Sequence, residues 1–198
     1  MPERKKFFDA CADEWDKEFT AEDLEVLSYL IDSFKIRKDS RIVDLGCGTG
    51  VMFDMLRRKV GSSGVIVGVD FSKRMIRKAR QNFPFENVHA LDGDAQNLPL
   101  KSDSFDYAIS FASFAHFKDK QRVMEEVSRV LRRDGLFYII HLLSSMELKH
   151  HHNMVGGPVA LDLLPSDHEM MQLFEHGHFL NVRLKDQPGL YLASGVKG

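Results

Sequence analysis

The chain has 198 residues, of which 43% are hydrophobic, enough for one domain to bury a continuous core. Its formal net charge of -2 lacks the basic excess that is typical of a dedicated nucleic-acid-binding protein. The two cysteines, Cys11 and Cys47, form no CxxC pair, and no signal-like or membrane-spanning apolar run is present, so we expect a cytoplasmic protein without nucleic-acid or membrane partners.

Two helices are predicted before the first strand of the core. Apolar residues recur at helical spacing in FFDACADEWDKEF (residues 7–19) and in AEDLEVLSYLIDSF (residues 21–34). We interpret residues 1–38 as cap helices with the role of a lid. Phe8 and Trp15 either fix these helices to the core or cover the cofactor or the substrate, and both readings stay open.

Residues 40–141 alternate between short apolar runs and amphipathic segments, which is the βαβ rhythm of a doubly wound sheet. The run RIVDL ends at a glycine cluster, which is typical of a buried parallel strand. The elements predicted after RIVDL are a helix at 51–60, a strand at 65–70, a helix at 72–83, strands at 87–91 and 105–110, a helix at 120–133 and a strand at 135–141.

The rhythm breaks in residues 142–165, which contain two glycines, two prolines and mixed polarity. We interpret this segment as an irregular insertion on the substrate side, because specificity elements often lie in such stretches. In residues 166–198 we predict a helix that ends at Gly177, followed by a closing antiparallel hairpin around QPG. The predicted fold is α/β: one domain with a doubly wound, Rossmann-like, seven-stranded sheet and helices on both faces.

The string VDLGCGTG (residues 43–50) predicts a ligand-binding loop. Alternating glycines let the backbone pass close under a ligand, and the free amides of a helix start favour a carboxylate. A dinucleotide fingerprint would need glycine or alanine where Val51 stands, so the spacing favours a cofactor other than NAD. Asp70 follows about 20 residues later, as expected for a carboxylate that binds ribose hydroxyls. Phe71, directly after it, is placed to pack on an adenine face.

Four segments in order, VDLGCGTG, VGVD, GDAQNLPLKSDSFDYAIS and RVLRRDGLFYII, resemble the successive motifs of class I S-adenosylmethionine-dependent methyltransferases. The resemblance is to the small-molecule enzymes of the ubiquinone-biosynthesis and methyltransferase-type-11 kind, and it runs from about Arg41 to His141. It implies an enzyme that transfers a methyl group from S-adenosylmethionine to a small-molecule acceptor, which the sequence does not identify.

The resemblance also implies roles for the residues of the glycine loop. Asp44 would organise the loop and the amino group of the cofactor, although a plain turn carboxylate is the alternative. Gly46 and Gly48 would line the methionine moiety. Cys47, inside the same loop, is interpreted as a small neutral filler and not as a nucleophile. Asp70 would bind the ribose.

Four further residues take cofactor roles from the same resemblance. Asp94 would accept a hydrogen bond from the adenine amine, and the Ala95 amide would contact the adenine ring. The alternative for Asp94 is a carboxylate that only caps a turn or helix. Ser110 and Phe111, at the end of the FDYAIS strand, would offer backbone carbonyls to the methionine ammonium.

His116 and His141 are the candidate catalytic residues, because each follows a strand that faces the transferred methyl group; a structural histidine is the alternative for both. A sulfonium methyl group mainly needs a nucleophile held in line, and His116 is the best-placed base if the acceptor must lose a proton. The run His150–His152 is either a metal site or a polar contact, and we expect no metal, because neighbouring residues of a regular element diverge.

Other functions are weighed against the same residues. A short-chain NAD-dependent dehydrogenase needs a tyrosine with a lysine four residues later, and no tyrosine of the chain has one. Nucleic-acid base methylation commonly uses an Asn- or Asp-Pro-Pro-Tyr tetrad, where this chain has SFAS. A non-catalytic module that binds S-adenosylmethionine, or methylation of a protein or RNA, stays open.

Overall fold

The computed structural model describes residues 2–198, apart from the side chain of Pro2. Within this range the chain forms seven α-helices: α1 (Pro2–Cys11), α2 (Ala21–Ser33), α3 (Phe53–Val60), α4 (Lys73–Asn82), α5 (Lys120–Val130), α6 (Ser145–Val155) and α7 (Asp167–His176). It also forms seven strands: β1 (Arg41–Leu45), β2 (Val65–Asp70), β3 (Val88–Asp92), β4 (Phe105–Phe111), β5 (Leu131–His141), β6 (Phe179–Gln187) and β7 (Leu190–Lys197).

The seven strands form one sheet in the order β3-β2-β1-β4-β5-β7-β6. The first five strands of this order pair in parallel, while β7 pairs antiparallel with both β5 and β6. After β1 the chain adds β2 and β3 on one side of this strand, and it then adds β4 and β5 on the other side. The boundary between β1 and β4 is therefore the topological switch point of a doubly wound fold. This confirms the predicted fold, including the closing hairpin.

Helices cover both faces of the sheet because alternate residues of each central strand point to opposite sides. In β1, Ile42 belongs to a buried cluster with residues of α2, α3 and α4. The next residue, Val43, belongs to a second cluster with residues of α5 and α7. Both faces of β1 are thus packed against apolar residues, so polar side chains with a functional role are expected at the ends of the strands.

The segment predicted to be irregular contains a regular helix, which corrects that expectation. Helix α6 begins with a capping box in which the Ser144 side chain accepts from the Glu147 amide and the Glu147 carboxylate accepts from the Ser144 amide. The single helix predicted at residues 7–19 is also wrong, since α1 ends at Cys11 and a separate 3-10 turn spans Trp15–Glu18. No helix in residues 2–198 has the length and apolar character needed to cross a membrane.

Candidate active site

The glycine loop follows β1 and adopts backbone conformations that require glycine. Gly46 and Gly48 have φ angles of +67° and +53°, in the left-handed region that other residues rarely occupy. A Cβ on Gly46 would lie 2.5 Å from Cβ of Ser113, and one on Gly48 would lie 3.1 Å from Nε1 of Trp15. The loop therefore has no room for a side chain at Gly46, and a side chain at Gly48 would press on Trp15.

Asp70 at the end of β2 holds this loop in place. Its Oδ2 accepts a hydrogen bond from the Gly48 amide at 3.0 Å, and its Oδ1 accepts one from the Ser72 amide at 2.8 Å. Burial raises the pKa of the carboxyl to about 6, although the two backbone amides oppose that rise. Asp70 therefore holds the loop directly, while the role expected for Asp44 stays a prediction.

Asp44 lies beneath the loop with an exposed fraction of 1%. Its Oδ1 is buried and has no hydrogen-bond partner among the described residues. Burial, together with the nearby Asp70, raises the pKa of the carboxyl to about 8. Because a cation beside this oxygen would satisfy it, the arrangement fits the ammonium group of an amino-acid-bearing cofactor.

A small cavity of about 60 Å³ lies over the loop and collects most of the predicted cofactor residues. The predicted residues that line it are Asp44, Gly46, Cys47, Gly48, Asp70, Phe71, Phe111 and His116. Burial raises the pKa of the Cys47 thiol well above its usual range, with Asp44 and Asp70 adding to the rise. A thiol in this state is a poor nucleophile, which supports the interpretation of Cys47 as a filler.

The residues predicted for the adenine and ammonium groups are less closely assembled. Asp94 lies with Phe71 and His116 in an adjoining cavity of about 290 Å³, where its carboxylate accepts from the Gln96 amide at 2.9 Å. Ala95 and Ser110 are buried and line neither of these cavities. Their predicted backbone contacts stay predictions.

The N-terminal segment covers the loop. The ring of Phe8 meets the rings of Trp15, Phe71 and His116 edge to face, with centroids between 5.2 and 5.8 Å apart. Two polar contacts also hold the N-terminal segment: the Ser72 hydroxyl donates to Asp9 at 2.6 Å, and the Thr49 hydroxyl donates to Asp16. Phe8 and Trp15 thus fix the N-terminal segment over the loop, and their covering of the cofactor or the substrate stays a prediction.

A second, larger cavity of about 500 Å³ adjoins the first one between the N-terminal segment, β5 and α6. Phe8, Trp15, Phe19, Phe111 and His116 line both cavities. The rest of the lining combines apolar residues with polar ones; the apolar residues include Phe7, Leu142, Leu143, Leu148, Val155 and Val159, and the polar ones are Glu18, Asp23, His141, His151 and His152. The size and character of this cavity suit a small organic ligand.

The two candidate catalytic histidines differ in environment. His116 lines both cavities, and its side chain is 14% exposed. His141 lines the larger cavity but is buried, and its Nε2 has no partner among the described residues. Burial, with His116, His152 and Lys120 nearby, lowers the pKa of His141 to about 3. His141 is therefore a neutral imidazole near pH 7, and the roles expected for both histidines stay predictions.

Some residues of the site were missed at the sequence level. Ser113 donates to the Leu45 carbonyl at 2.7 Å beneath Gly46, and Met75 and Phe117 line the smaller cavity. His152 is buried while His150 and His151 are exposed, so the histidine run diverges around α6 as expected. Within residues 2–198 no group of three or more histidine, cysteine or acidic side chains has an arrangement that could hold a metal ion.

Comparison with known proteins identifies the class that this fold and site define. The methyltransferase domain family matches residues 36–177, so the chain belongs to that family. Its curated relatives include the demethylmenaquinone methyltransferase of Staphylococcus aureus (strain MRSA252), which is 25% identical, with 78% of this chain and 73% of the relative covered. The chain is a class I methyltransferase that uses S-adenosylmethionine.

Solved structures share the fold. A chain from the complex that contains the Haloferax volcanii Trm112 methyltransferase activator has a TM-score of 0.80 and 23% identity, with 96% of each chain covered. Geranyl diphosphate C-methyltransferase from Streptomyces coelicolor A3(2), in complex with S-adenosyl-L-homocysteine, has a TM-score of 0.73 and 13% identity, with 88% of this chain and 76% of that chain covered.

Proposed function

We propose that this methyltransferase acts on a small, largely apolar acceptor that binds in the 500 Å³ cavity beside the glycine loop. One observation carries the proposal: this cavity and the cofactor cavity share Phe111 and His116, so an acceptor in one is next to a methyl donor in the other. The apolar part of the lining favours a hydrocarbon or ring system, while the histidines, Glu18 and Asp23 supply the polar contacts.

The residues of the loop have distinct roles in this proposal. Asp44 would hold the ammonium group of S-adenosylmethionine, and Asp70 would bind its ribose while keeping the loop in shape. When bound, the cofactor supplies an electrophilic methyl group on a sulfonium sulfur. The protein then has to align the acceptor and exclude water, and the N-terminal segment over Gly48 is placed to exclude it.

The proposal is tested by measuring tritium transfer from S-adenosylmethionine labelled in its methyl group. Three sets of acceptors are compared: small apolar compounds with a hydroxyl, amine or thiol group, short peptides, and RNA oligonucleotides. We expect transfer to members of the first set. Transfer confined to peptides or RNA, or binding of the cofactor without any transfer, would instead support the protein, RNA or non-catalytic alternatives.

A pair of variants on α6 tests where the acceptor binds. Val155 lines the larger cavity and is 47% exposed, whereas the neighbouring Met154 is 76% exposed and lines neither cavity. Val155→Trp narrows the cavity, so we expect KM for the acceptor to rise about tenfold with unchanged affinity for S-adenosylhomocysteine. Met154→Trp is the matched control. Equal effects of the two variants would place the acceptor elsewhere.

A further inference from the structure

Asp162 joins three separate parts of the chain behind His116, which lines the 500 Å³ cavity proposed for the acceptor (the acceptor cavity). It is 4% exposed, and its Oδ2 lies 2.8 Å from Nδ1 of His116. Its Oδ1 accepts a hydrogen bond from the guanidinium of Arg4 on α1, while its backbone carbonyl lies 2.5 Å from Nδ1 of His152 on α6. Arg4 also donates to the backbone carbonyl of His116 at 2.6 Å. Both the ring and the backbone of His116 are thus held.

This contact selects one tautomer of His116. A carboxylate has only acceptor oxygens, so Nδ1 of His116 donates to Asp162 and Nε2 keeps its lone pair. No hydrogen bond within residues 2–198 uses Nε2, and the ring lines both the cofactor cavity and the acceptor cavity. A histidine whose Nδ1 is held by a buried carboxylate is arranged to accept a proton at Nε2.

Three other titratable groups near His116, namely His141, His152 and Lys120, do not have this arrangement; further ones that share a cavity with His116 include Glu3, Glu18, Asp23, Asp94, Lys118 and His151. His141 is buried, with a pKa lowered to about 3, and burial also lowers the pKa of His152. Lys120 donates to the backbone carbonyls of Ala115 and Phe117, at 3.0 and 2.9 Å. Among these groups, His116 combines a carboxylate partner with a place on both cavities.

We infer that Asp162 is a positioning residue that makes His116 the general base, and that the acceptor is an apolar molecule with a hydroxyl group. The inference rests on the proposed function, since it concerns the same cavity. As the oxygen attacks, a bond forms between it and the methyl carbon, and the carbon–sulfur bond breaks with its electron pair left on sulfur. The hydroxyl proton moves to Nε2 of His116 and is later released to solvent.

Asp162→Asn distinguishes positioning from simple packing because Arg4 fixes how the amide lies. Arg4 can only donate, so the amide oxygen of the variant stays toward Arg4 and its NH2 group faces Nδ1 of His116. Nδ1 must then accept, and the ring proton moves to Nε2. The variant keeps the size and contacts of Asp162 but removes the lone pair that would take the proton.

The first test is nitrogen-15 NMR of the histidine rings in the full-length protein, with the His116 signals assigned by their loss in His116→Gln. We expect the proton on Nδ1 of His116 in the wild type at neutral pH and on Nε2 in Asp162→Asn. Asp167→Asn, which changes an exposed carboxyl at the start of α7, should leave the spectrum unchanged. A wild-type proton on Nε2, or an unchanged tautomer in Asp162→Asn, would overturn the inference.

The second test compares methylation of 2-naphthol and 2-naphthalenethiol, which have the same ring system. A thiol ionises more readily than a hydroxyl and needs less help from a base. For Asp162→Asn we expect kcat with naphthol to fall about 100-fold or more, with KM changed less than about threefold, and turnover of the thiol to fall less than about threefold. Equal losses on both probes would show a structural role and overturn the inference.

Binding of S-adenosylhomocysteine, measured by calorimetry on the same samples, separates this inference from the proposed function. Failure of the wild type to bind it would overturn the proposed function itself. If the cofactor product binds normally but the wild-type proton lies on Nε2 of His116, or the tautomer does not change in Asp162→Asn, only the role of Asp162 is overturned.

Discussion

The side chain of Asp70 accepts a hydrogen bond from the Gly48 amide and also lines the cofactor cavity. We expect Asp70→Ala to weaken binding of S-adenosylhomocysteine by about 1.5–3 kcal/mol, the usual range for hydrogen bonds to a charged group. Calorimetry measures the change, and circular dichroism checks the fold. Asp92→Ala is the matched control, because Asp92 pairs with Asp70 across the sheet but lines neither cavity. Normal binding by Asp70→Ala would remove Asp70 from the cofactor site.

The buried Asp44 predicts a specific dependence of stability on pH. Its pKa is about 8 in the folded protein and about 3.9 in an unfolded chain, so the folded state binds the extra proton between these values. The free energy of unfolding therefore falls as pH rises through this window, being highest below the unfolded pKa. Asp70, with a pKa of about 6, adds a smaller effect at the lower end.

The comparison of wild type with Asp44→Asn isolates this effect. Between about pH 5 and 8 we expect the wild type to lose at least about 1 kcal/mol more stability than the variant, because the amide does not ionise. Denaturant unfolding at a series of pH values measures the difference. Parallel curves for the two proteins would mean that Asp44 is not held in its protonated form.

At the scale of single elements, sequence reasoning succeeded where a local pattern decides the structure. RIVDL and VIVGVD form strands with the predicted bounds, because buried parallel strands are apolar on both faces. It failed at α6, which was predicted to be irregular because of its glycines and its histidine run. Ser144 and Glu147 have the spacing of a capping box, and this local pattern indicates the start of a helix. The contact of Asp162 with His116 has no such signal, because it joins residues 46 positions apart through the tertiary fold.

Helix α6 turns the histidine run into a further prediction. His152 is buried, its ring lies 4.9 Å from that of His116, and it lines the acceptor cavity, whereas His150 is exposed and does not. We expect His152→Ala to lower turnover of 2-naphthol about tenfold or more, while affinity for S-adenosylhomocysteine changes less than about twofold. His150→Ala should change neither. Matching losses of turnover and cofactor affinity in His152→Ala would assign His152 to the fold or the cofactor site.

The molecule as a whole combines the central sheet with an N-terminal cover, formed by α1 and the turn Trp15–Glu18, that has its own small buried cluster. Two buried clusters occupy the faces of the sheet, and a third, separate cluster joins α1 to the rest through Phe8, Ala12, Met75 and Val159. The cavity over the glycine loop has about 60 Å³ and lies directly under this cover, so we expect the N-terminal cover to open when the cofactor binds.

Hydrogen exchange tests this division of the molecule into a sheet and a cover. Local opening of an element with few buried contacts costs less than global unfolding, so amides of α1 should exchange about 100-fold or more faster than those of β4 in the free protein. S-adenosylhomocysteine should slow exchange in α1, while NAD, which the glycine spacing of the loop disfavours, should leave it unchanged. Trp15, the one tryptophan of the chain, gives a second readout through its fluorescence, because it packs on Gly48 beside the ligand. Protection of α1 equal to that of β4 without ligand would contradict the opening step, and an equal response to NAD would contradict the cofactor selectivity of the loop.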